Sequence, residues 1–383
     1  MDGLSSNKNT RTPGKPPWSA AFRPLVWIAV ILATAYLVGR IGNTPVVKNT
    51  GVEIFSGPTM GTSYQVRLVA PAAFTDAATL HGKIEQELKQ VNQEMSTYIP
   101  DSEISKFNSS ESTEWFTVSS STAQVVATAL ELSKKSDGYY DITVMPLVNA
   151  WGFGPAKRQD KAVEPERLRE LLEQVGYTKL EVRLDPPAIK KSHPKLQVDL
   201  SSIAKGHGVD RIAHLLQQEG YKDFFVEIGG EIRTAGKRAD GEPWKVGIET
   251  PTTLQRDLQT ILPLTDASLA TSGDYRNAFV DGGVRYSHTI DPKTGQPVQH
   301  NLASASVVAN NCAEADGWAT VMLASGPDRA LQIANENQLD VLLIIRQPDK
   351  FELLPSDTFR QRYPSTLKMA EEKLVRPDIE TKK

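Results

Sequence analysis

Cysteine and excess basic charge are both scarce in this chain, and each shortage excludes a class of protein. The 383 residues contain one cysteine, Cys312, so neither an intramolecular disulfide framework nor a zinc site built from several thiolates can form. Lys and Arg number 43 against 46 Asp and Glu, and the formal net charge of −3 leaves no basic excess to displace counterions from nucleic-acid phosphates. We therefore expect no nucleic-acid partner. Charged residues at 23% and hydrophobic residues at 39% also exclude a wholly disordered chain and a protein with many membrane spans.

The charge is distributed unevenly around one apolar segment near the start of the chain. Residues 1–24 hold four basic residues and one acidic residue, a net charge of +3, which leaves −6 for the remainder. Residues 25–38 contain no charge, and with Gly39 and snorkelling arginines on both sides this segment approaches the roughly 17–20 residues needed to cross a membrane. A basic leader before an apolar segment stays in the cytoplasm. We therefore predict a single-pass anchor at 25–39 in the cytoplasmic (inner) membrane, a linker at 40–51 and a globular domain on the periplasmic side.

Two other interpretations of the apolar segment stay open. Its 14 uncharged residues also match the hydrophobic region of a cleaved secretory signal, with Ala33-Thr-Ala35 as a poor but possible cleavage site. A segment of this length is also compatible with a helix buried in a protein core. No cysteine lies near it, so processing as a lipoprotein is excluded.

From residue 52 to 363 the pattern predicts one α+β domain with mixed or antiparallel sheets and packed helices, because strands and helices are mixed without a strict βαβ repeat. Alternating and short apolar runs predict strands at Val52–Phe55, Thr62–Val69, Phe224–Ile228, Trp244–Glu249, Ser304–Val308 and Val341–Ile345. Apolar residues at helical spacing predict helices over 76–95, 121–136, 165–175, 203–219 and 313–324. We expect residues 364–383 to form a charged tail.

A polar, glycine-containing segment at Asp199–Asp210 is the first candidate for ligand binding. It opens a predicted helix, where free N–H groups favour an anion such as a phosphate, and Lys205 adds a positive charge. Its spacing matches neither a P-loop nor the G-x-G-x-x-G motif of dinucleotide-binding proteins. Asp199 could instead serve only as the N-cap of the helix.

Asp316 and Thr320 form the second candidate because they lie four residues apart, and therefore on one face of a predicted helix. Carboxylate and hydroxyl oxygens suit Mg²⁺ better than zinc, although a capping role also explains Asp316. Among the six histidines, His288 lies in a turn rich in Ser and Thr and is the one plausible proton carrier. Cys312 has no positive neighbour in the sequence, which predicts a buried, inert thiol.

Short motifs follow one another in a fixed order over roughly residues 52–345. They are Met60-Gly-Thr62, Met95-Ser-Thr-Tyr98 with Pro100–Asn108, Asp141–Gly154, Asp199–Asp210, Glu227-Ile-Gly-Gly-Glu231, Thr271–Arg276, Tyr286–Gly295 and Ala315–Thr320. In this order they resemble the motifs of the ApbE family, the FAD:protein FMN transferases. The resemblance implies an ApbE-type, T-fold-like α+β architecture with mixed or antiparallel sheets.

The resemblance also implies an activity and a set of site residues. The implied enzyme is Mg²⁺-dependent, splits FAD, and attaches FMN through a phosphoester to a Thr or Ser of a target protein, a membrane redox subunit by the family pattern, while AMP leaves. The implied FAD pocket is lined by Met60, Tyr98, Trp151, Gly152, Phe153, Asp199, Lys205 and Ile290. The implied Mg²⁺ ligands are Ser202, Asp316, Ala319 and Thr320, with Ser202 and Ala319 contributing backbone carbonyls. His288 matches the histidine of the family's Y-S-H-x-I-D-P turn and is assigned to proton transfer, beside Asp316 as the second catalytic residue.

Two rival functions stay open at this stage. The same pocket with water as the nucleophile would be an FAD pyrophosphatase that gives FMN and AMP. A membrane-tethered flavin-binding module without catalysis is the second rival, and the joint presence of Asp316, Thr320 and His288 argues against it because simple binding needs no metal pair. The chain departs from the family pattern at Ser201-Ser202, where glycine is frequent, and in having no lipid-anchored cysteine.

Overall fold

Eight strands form one central antiparallel sheet. The computed structural model describes residues 51–71, 74, 76–155, 161–251, 258–274 and 278–374. All neighbouring strands of this sheet pair antiparallel. Numbered along the chain and given in spatial order, they are β1 (Val52–Thr59), β2 (Thr62–Val69), β6 (Phe224–Ile228), β7 (Glu231–Ala235), β10 (Ser268–Gly273), β13 (Leu302–Ala309), β14 (Asp340–Arg346) and β15 (Phe351–Pro355). The prediction of an α+β fold with antiparallel pairing is confirmed.

Three smaller antiparallel sheets surround the central one. They are β3 (Phe116–Thr117) with β5 (Pro187–Lys191) and β4 (Leu180–Leu184), the hairpin β8 (Trp244–Glu249) with β9 (Leu258–Leu264), and the hairpin β11 (Ala278–Asp281) with β12 (Val284–Ser287). Several of these strands are too short for a hydrophobic pattern to identify them in the sequence. The β11–β12 hairpin ends directly before His288, so its position determines where that side chain lies.

Ten α-helices pack around the sheets in the part of the chain that the structure describes. They are α1 (Ala77–Met95), α2 (Glu103–Ser109), α3 (Ser120–Lys135), α4 (Met145–Ala150), α5 (Pro165–Leu172), α6 (Ala204–Gln218), α7 (Cys312–Ser325), α8 (Pro327–Glu336), α9 (Asp357–Arg362) and α10 (Pro364–Leu374). Five of them have an N-cap residue whose side-chain oxygen accepts a hydrogen bond from a backbone N–H of the first turn. These N-cap residues are Asp76, Ser102, Ser119, Asn311 and Ser356. Such caps satisfy N–H groups that have no partner within the helix, and they fix where each helix starts.

The central sheet is covered on both faces, as β14 illustrates. Val341, Leu343 and Ile345 pack with the helical layer that includes α3 and α7, whereas Leu342 and Ile344 pack with the β8–β9 hairpin and α9 on the other face. Because successive side chains of a strand point to opposite faces, a strand buried on both sides is apolar at nearly every position. The sheet therefore forms the middle of three layers and gives the site a rigid base.

The C-terminal segment differs from the predicted charged tail, because residues 364–374 form helix α10. Leu367 and Ala370 are buried, and the carbonyl of Ala370 accepts a hydrogen bond of 3.0 Å from Gln259 Nε2 on β9. The charged residues of the helix lie on its exposed side. The boundary of the folded domain therefore moves from residue 363 to at least residue 374.

The predicted leader 1–24 and the predicted membrane or signal segment 25–39 lie outside the described residues, as does the linker apart from Gly51. Within the described ranges, none of the helices combines the length and the apolar character that crossing a bilayer requires.

Candidate active site

A cleft of about 400 Å³ brings together residues that are far apart in the sequence. It lies between the start of α6, helix α7, the start of β7, the end of β10 and the turn after β12. Nine of the residues predicted for the site line it, namely Tyr98, Phe153, Asp199, Ser202, Lys205, His288, Ile290, Asp316 and Thr320. A larger groove elsewhere, of about 860 Å³ between Asn108 and Gln197, contains none of the predicted residues.

A second cavity of about 620 Å³ adjoins the cleft and shares Tyr98, Asp199 and Lys205 with it. Its remaining wall is mainly apolar and includes Met60, Val91, Met95 and Ile99. The ring of Tyr98 stands at the junction and is 68% exposed. The two cavities together offer a polar centre with flat, apolar surface beside it, an arrangement suited to a charged ligand that carries rings.

The turn that precedes α6 is held from two sides. Asp199 N donates to the carbonyl of Ile142 at 2.7 Å, and Asp199 Oδ1 accepts from Ser201 N at 2.9 Å. Ser202 Oγ donates to the hydroxyl of Tyr140 at 2.9 Å. Burial raises the pKa of Asp199, and its hydrogen bonds with Ser201 oppose that shift.

Lys205 lies between two buried carboxylates at the base of the cleft. Its Nζ is 2.7 Å from Glu231 Oε1 and 3.6 Å from Asp316 Oδ1. Burial lowers the pKa of Lys205, but the two carboxylates outweigh burial and the pKa is raised. Burial also raises the pKa of Glu231 and of Asp316, and Lys205 opposes both shifts. The cluster carries a net negative charge when both acids are ionised, which suits a cationic partner.

Asp316 also fixes the contact between helices α6 and α7. Its Oδ2 accepts a hydrogen bond of 3.0 Å from the backbone N–H of Gly206. Gly206 is the third residue of α6, so its N–H has no carbonyl partner within the helix, and Asp316 supplies an acceptor for it. Thr320, one turn after Asp316, has its hydroxyl 3.4 Å from that of Ser272 on β10. The predicted shared face of Asp316 and Thr320 is therefore confirmed, and both side chains line the cleft.

His288 lies in the cleft above a buried aromatic cluster. Its ring is edge-on to Phe153 at 6.4 Å between centroids. Beneath them Tyr286 stacks between Trp151 and Phe279, at 5.3 Å and 5.2 Å. Trp151 is itself buried, with its Nε1 donating to a backbone carbonyl, so it supports the wall whose surface Phe153 provides.

A carboxylate at the end of β10 attaches the β11–β12 hairpin to the central sheet. Asp274 is 4% exposed and pairs with Arg346 of β14 at 2.8 Å and with Arg285 of β12 at 3.0 Å. The Arg285 guanidinium also donates to the backbone carbonyl of Asp274. This double anchor holds the strand that leads into His288.

Four predicted residues do not line the cleft with a side chain, and one of them, Met60, lines the adjoining cavity instead. Trp151 belongs to the aromatic cluster, Gly152 has φ +78° in the turn that follows it, and Ala319 is buried in the helical core, where only its carbonyl could contact a ligand. Glu231 and Tyr140 also line the cleft, although the sequence predicts no role for either. The only signal for Glu231 was its place directly after paired glycines, and nothing local distinguishes Tyr140.

Replacing Gly206 by alanine tests whether the close approach of α6 and α7 is required. A Cβ at Gly206 would lie 2.2 Å from the carbonyl oxygen of Cys312 and 2.9 Å from the Cα of Ala313, and backbone atoms cannot rotate away. We expect Gly206→Ala to lower the free energy of unfolding in urea by about 3 kcal/mol. The matched control is Gly82→Ala in α1, where no atom lies within 4 Å of the added Cβ, and a gain of up to about 1 kcal/mol is expected. Equal stability of the two variants would contradict the tight crossing.

The fold and the cleft define an α+β protein whose site joins a helix start, a lysine and buried carboxylates beside aromatic rings. The ApbE family model matches residues 60–343. The FAD:protein FMN transferase of Vibrio cholerae is 44% identical over 305 residues, which cover 80% of this chain and 91% of that protein. The enzyme of the same name from Haemophilus influenzae is 44% identical over 319 residues, covering 82% and 92%. The chain belongs to the ApbE family.

Solved structures give the same relationship. The flavin transferase ApbE from Vibrio cholerae superposes with a TM-score of 0.75 at 43% identity, covering 81% of this chain and 99% of that one. The apo form of the flavinyl transferase ApbE from Pseudomonas stutzeri gives a TM-score of 0.75 at 35% identity, covering 81% and 96%.

Proposed function

We propose that this protein transfers the FMN part of FAD to a threonine or serine hydroxyl of an acceptor protein. The observation that carries the proposal is that the cleft collects Asp199, Lys205, His288, Asp316 and Thr320 from separate chain segments. The relatives named above are FAD:protein FMN transferases, which supports the same reaction for this chain.

In the proposed reaction, the acceptor hydroxyl oxygen attacks the phosphorus on the FMN side of the pyrophosphate. The new bond is the phosphoester between FMN and the acceptor, the bond that breaks joins that phosphorus to the bridging oxygen, and AMP leaves with this oxygen. His288, which lines the cleft, would take the proton of the hydroxyl. Such a displacement depends mainly on positioning and on neutralising charge, which is what a rigid polar cleft provides.

The two joined cavities would hold the two halves of FAD. Tyr98, Phe153 and Ile290 provide ring and apolar surface along the cleft, and Met60 does so in the adjoining cavity. Lys205 has three N–H donors, and its contacts with Glu231 and Asp316 leave donor capacity for a phosphate oxygen. Asp199, Trp151 and Gly152 complete the proposed FAD site, the last two by supporting Phe153.

A Mg²⁺ ion would be held by the side chains of Asp316 and Thr320 and by the carbonyls of Ser202 and Ala319. The residues fit this ion, because all four donors are oxygens and because Ser202, Asp316 and Thr320 line the same cleft. No cluster of three or more His, Cys, Asp or Glu in the described ranges offers an alternative metal site. When bound, the ion would neutralise charge on the pyrophosphate and on the departing AMP.

We propose that the catalytic domain is periplasmic and attached to the cytoplasmic membrane by residues 25–39. The support is the +3 leader, the uncharged segment 25–38 and the −6 remainder of the sequence. A membrane redox subunit that exposes a short segment with a Thr or Ser on the same side of the membrane would be the acceptor.

Product analysis separates transfer from hydrolysis. FAD and Mg²⁺ are incubated with the protein, with and without a Thr-bearing acceptor, and AMP and free FMN are measured by chromatography. We expect AMP release to depend on the acceptor and to exceed free FMN. Equal amounts of AMP and free FMN without acceptor would identify a pyrophosphatase, and bound FAD without turnover would identify a flavin carrier.

A further inference from the structure

Glu231, the first residue of β7, has one carboxylate oxygen in use and one without a partner. The residue is 3% exposed and lines the cleft. Its Oε1 pairs with Lys205 Nζ at 2.7 Å, whereas its Oε2 is buried and has no hydrogen-bond partner. Oε2 lies beside Gly229, which also lines the cleft. A Cβ added to Gly229 would be 3.5 Å from Oε2.

A buried acceptor without a donor is costly, and a native structure keeps one where something else satisfies it. Glu94 and Asp340 also have a carboxylate oxygen without a hydrogen-bond partner. Neither of them lines the cleft or the adjoining cavity. Among these three acids Glu231 alone lines the cleft, and its unused oxygen lies beside Gly229, which also lines it.

We propose that Glu231 is a binding residue for the dinucleotide, in addition to the residues named above. Its Oε1 holds Lys205 in place, and its Oε2 accepts a hydrogen bond from an N–H or O–H group of bound FAD. FAD carries such donors on its ribityl and ribose hydroxyls, on the flavin ring and on the adenine amine. The inference rests on the proposed function, since it takes FAD as the ligand of this cleft.

Glu231→Gln tests Oε2 separately from Oε1. Because the ammonium of Lys205 only donates, the amide oxygen of glutamine must face Lys205, and the NH₂ group then takes the place of Oε2. An acceptor is thereby exchanged for a donor, while the contact with Lys205 is kept. We expect the Kd for FAD, measured by calorimetry in EDTA, to rise by about 10- to 100-fold.

The control is Asp340→Asn, which also removes a buried carboxylate. One oxygen of Asp340 pairs with Arg362 at 2.7 Å, and the other has no hydrogen-bond partner. Its Kd for FAD should equal that of the wild type. Titration with Mg²⁺ alone forms a second arm. An unchanged Kd for FAD in Glu231→Gln overturns the inference. If the affinity for Mg²⁺ then falls, Glu231 is a residue of the metal site. If the affinity for Mg²⁺ is also unchanged, Glu231 only supports Lys205.

Thermal unfolding establishes that the variants are folded. If Glu231→Gln does not fold, Glu231→Asp replaces it, because the shorter carboxylate cannot reach both Lys205 and the ligand, and its affinity for FAD should also fall. An unchanged affinity of that variant would count against the inference. If the wild-type protein does not bind FAD, both the proposed function and this inference are overturned. If the wild type binds FAD and the variants bind it with equal affinity, this inference alone is overturned.

Discussion

Asp316→Asn should reduce FMN transfer to an acceptor on the order of 10³-fold while the protein stays folded. The side chain is 3% exposed at the base of the cleft, and it is the one carboxylate among the proposed Mg²⁺ ligands. Asparagine keeps an oxygen that can accept the Gly206 N–H, so the α6–α7 contact survives. The amide lacks the negative charge that the ion requires, and several kcal/mol of charge stabilisation are lost from the transition state.

The matched control for this variant lies on the same helix. Glu314→Gln also removes one acidic charge from α7, but Glu314 is exposed and does not line the cleft. Its rate of transfer should equal that of the wild type. The rates are compared by quantifying flavinylated acceptor at saturating FAD and Mg²⁺. Transfer by Asp316→Asn at a rate close to that of the control would contradict the metal assignment.

Lys205→Met should destabilise the protein by about 3 kcal/mol, measured as the free energy of unfolding in urea at neutral pH. The variant leaves Glu231 and Asp316 as neighbouring buried carboxylates without their shared counter-charge. This loss of stability is at the lower end of what is typical when one partner of a buried ion pair is removed, because the Lys205 side chain is 31% exposed and solvent screens its charge. Methionine fills a similar volume, so the loss reports charge more than packing.

The pH dependence of this loss has a definite sign. Burial raises the pKa of Glu231 and of Asp316 in the folded protein. A carboxyl group with a raised pKa binds its proton at a higher pH in the folded protein than in the unfolded chain. The free energy of unfolding therefore falls as the pH rises through the pKa of the folded state. The deficit of Lys205→Met should therefore shrink as the pH is lowered from 7.5 toward about 5. A deficit that is constant over this range would show that packing causes it.

A double variant separates the two effects further. Lys205→Met combined with Glu231→Gln removes the lysine together with one of the two charges that it balances. Residues in direct contact are expected to couple, so the double variant should be more stable than the sum of the single losses predicts. Strict additivity would indicate that the two side chains do not interact.

The sequence predicted the elements whose signal is local. A short apolar run predicts β6 at Phe224–Ile228 and alternation of buried and exposed positions predicts β8 at Trp244–Glu249, and the structure has the same limits. Helix α10 carries no such local signal, because four of its eleven residues are charged and interrupt its apolar positions. It is held by hydrogen bonds from β9, more than a hundred residues earlier in the chain, which no local pattern contains.

The same distinction applies to the candidate site. Asp316 and Thr320 could be paired from their spacing, since four residues make one helical turn. The contact between Ser202 and Tyr140 spans 62 residues, and the ion pair of Lys205 with Glu231 joins a helix to a strand. Such contacts exist only in the folded chain, so their members could be recognised as candidates but not as partners.

FMN transfer is tested by the intact mass of an acceptor protein after incubation with this protein, FAD and Mg²⁺, followed by peptide mapping. We expect an acceptor heavier by one FMN, with the flavin on a threonine or serine, and no such product when FAD or Mg²⁺ is left out. An unmodified acceptor in a mixture where the protein has converted FAD to free FMN and AMP would contradict FMN transfer.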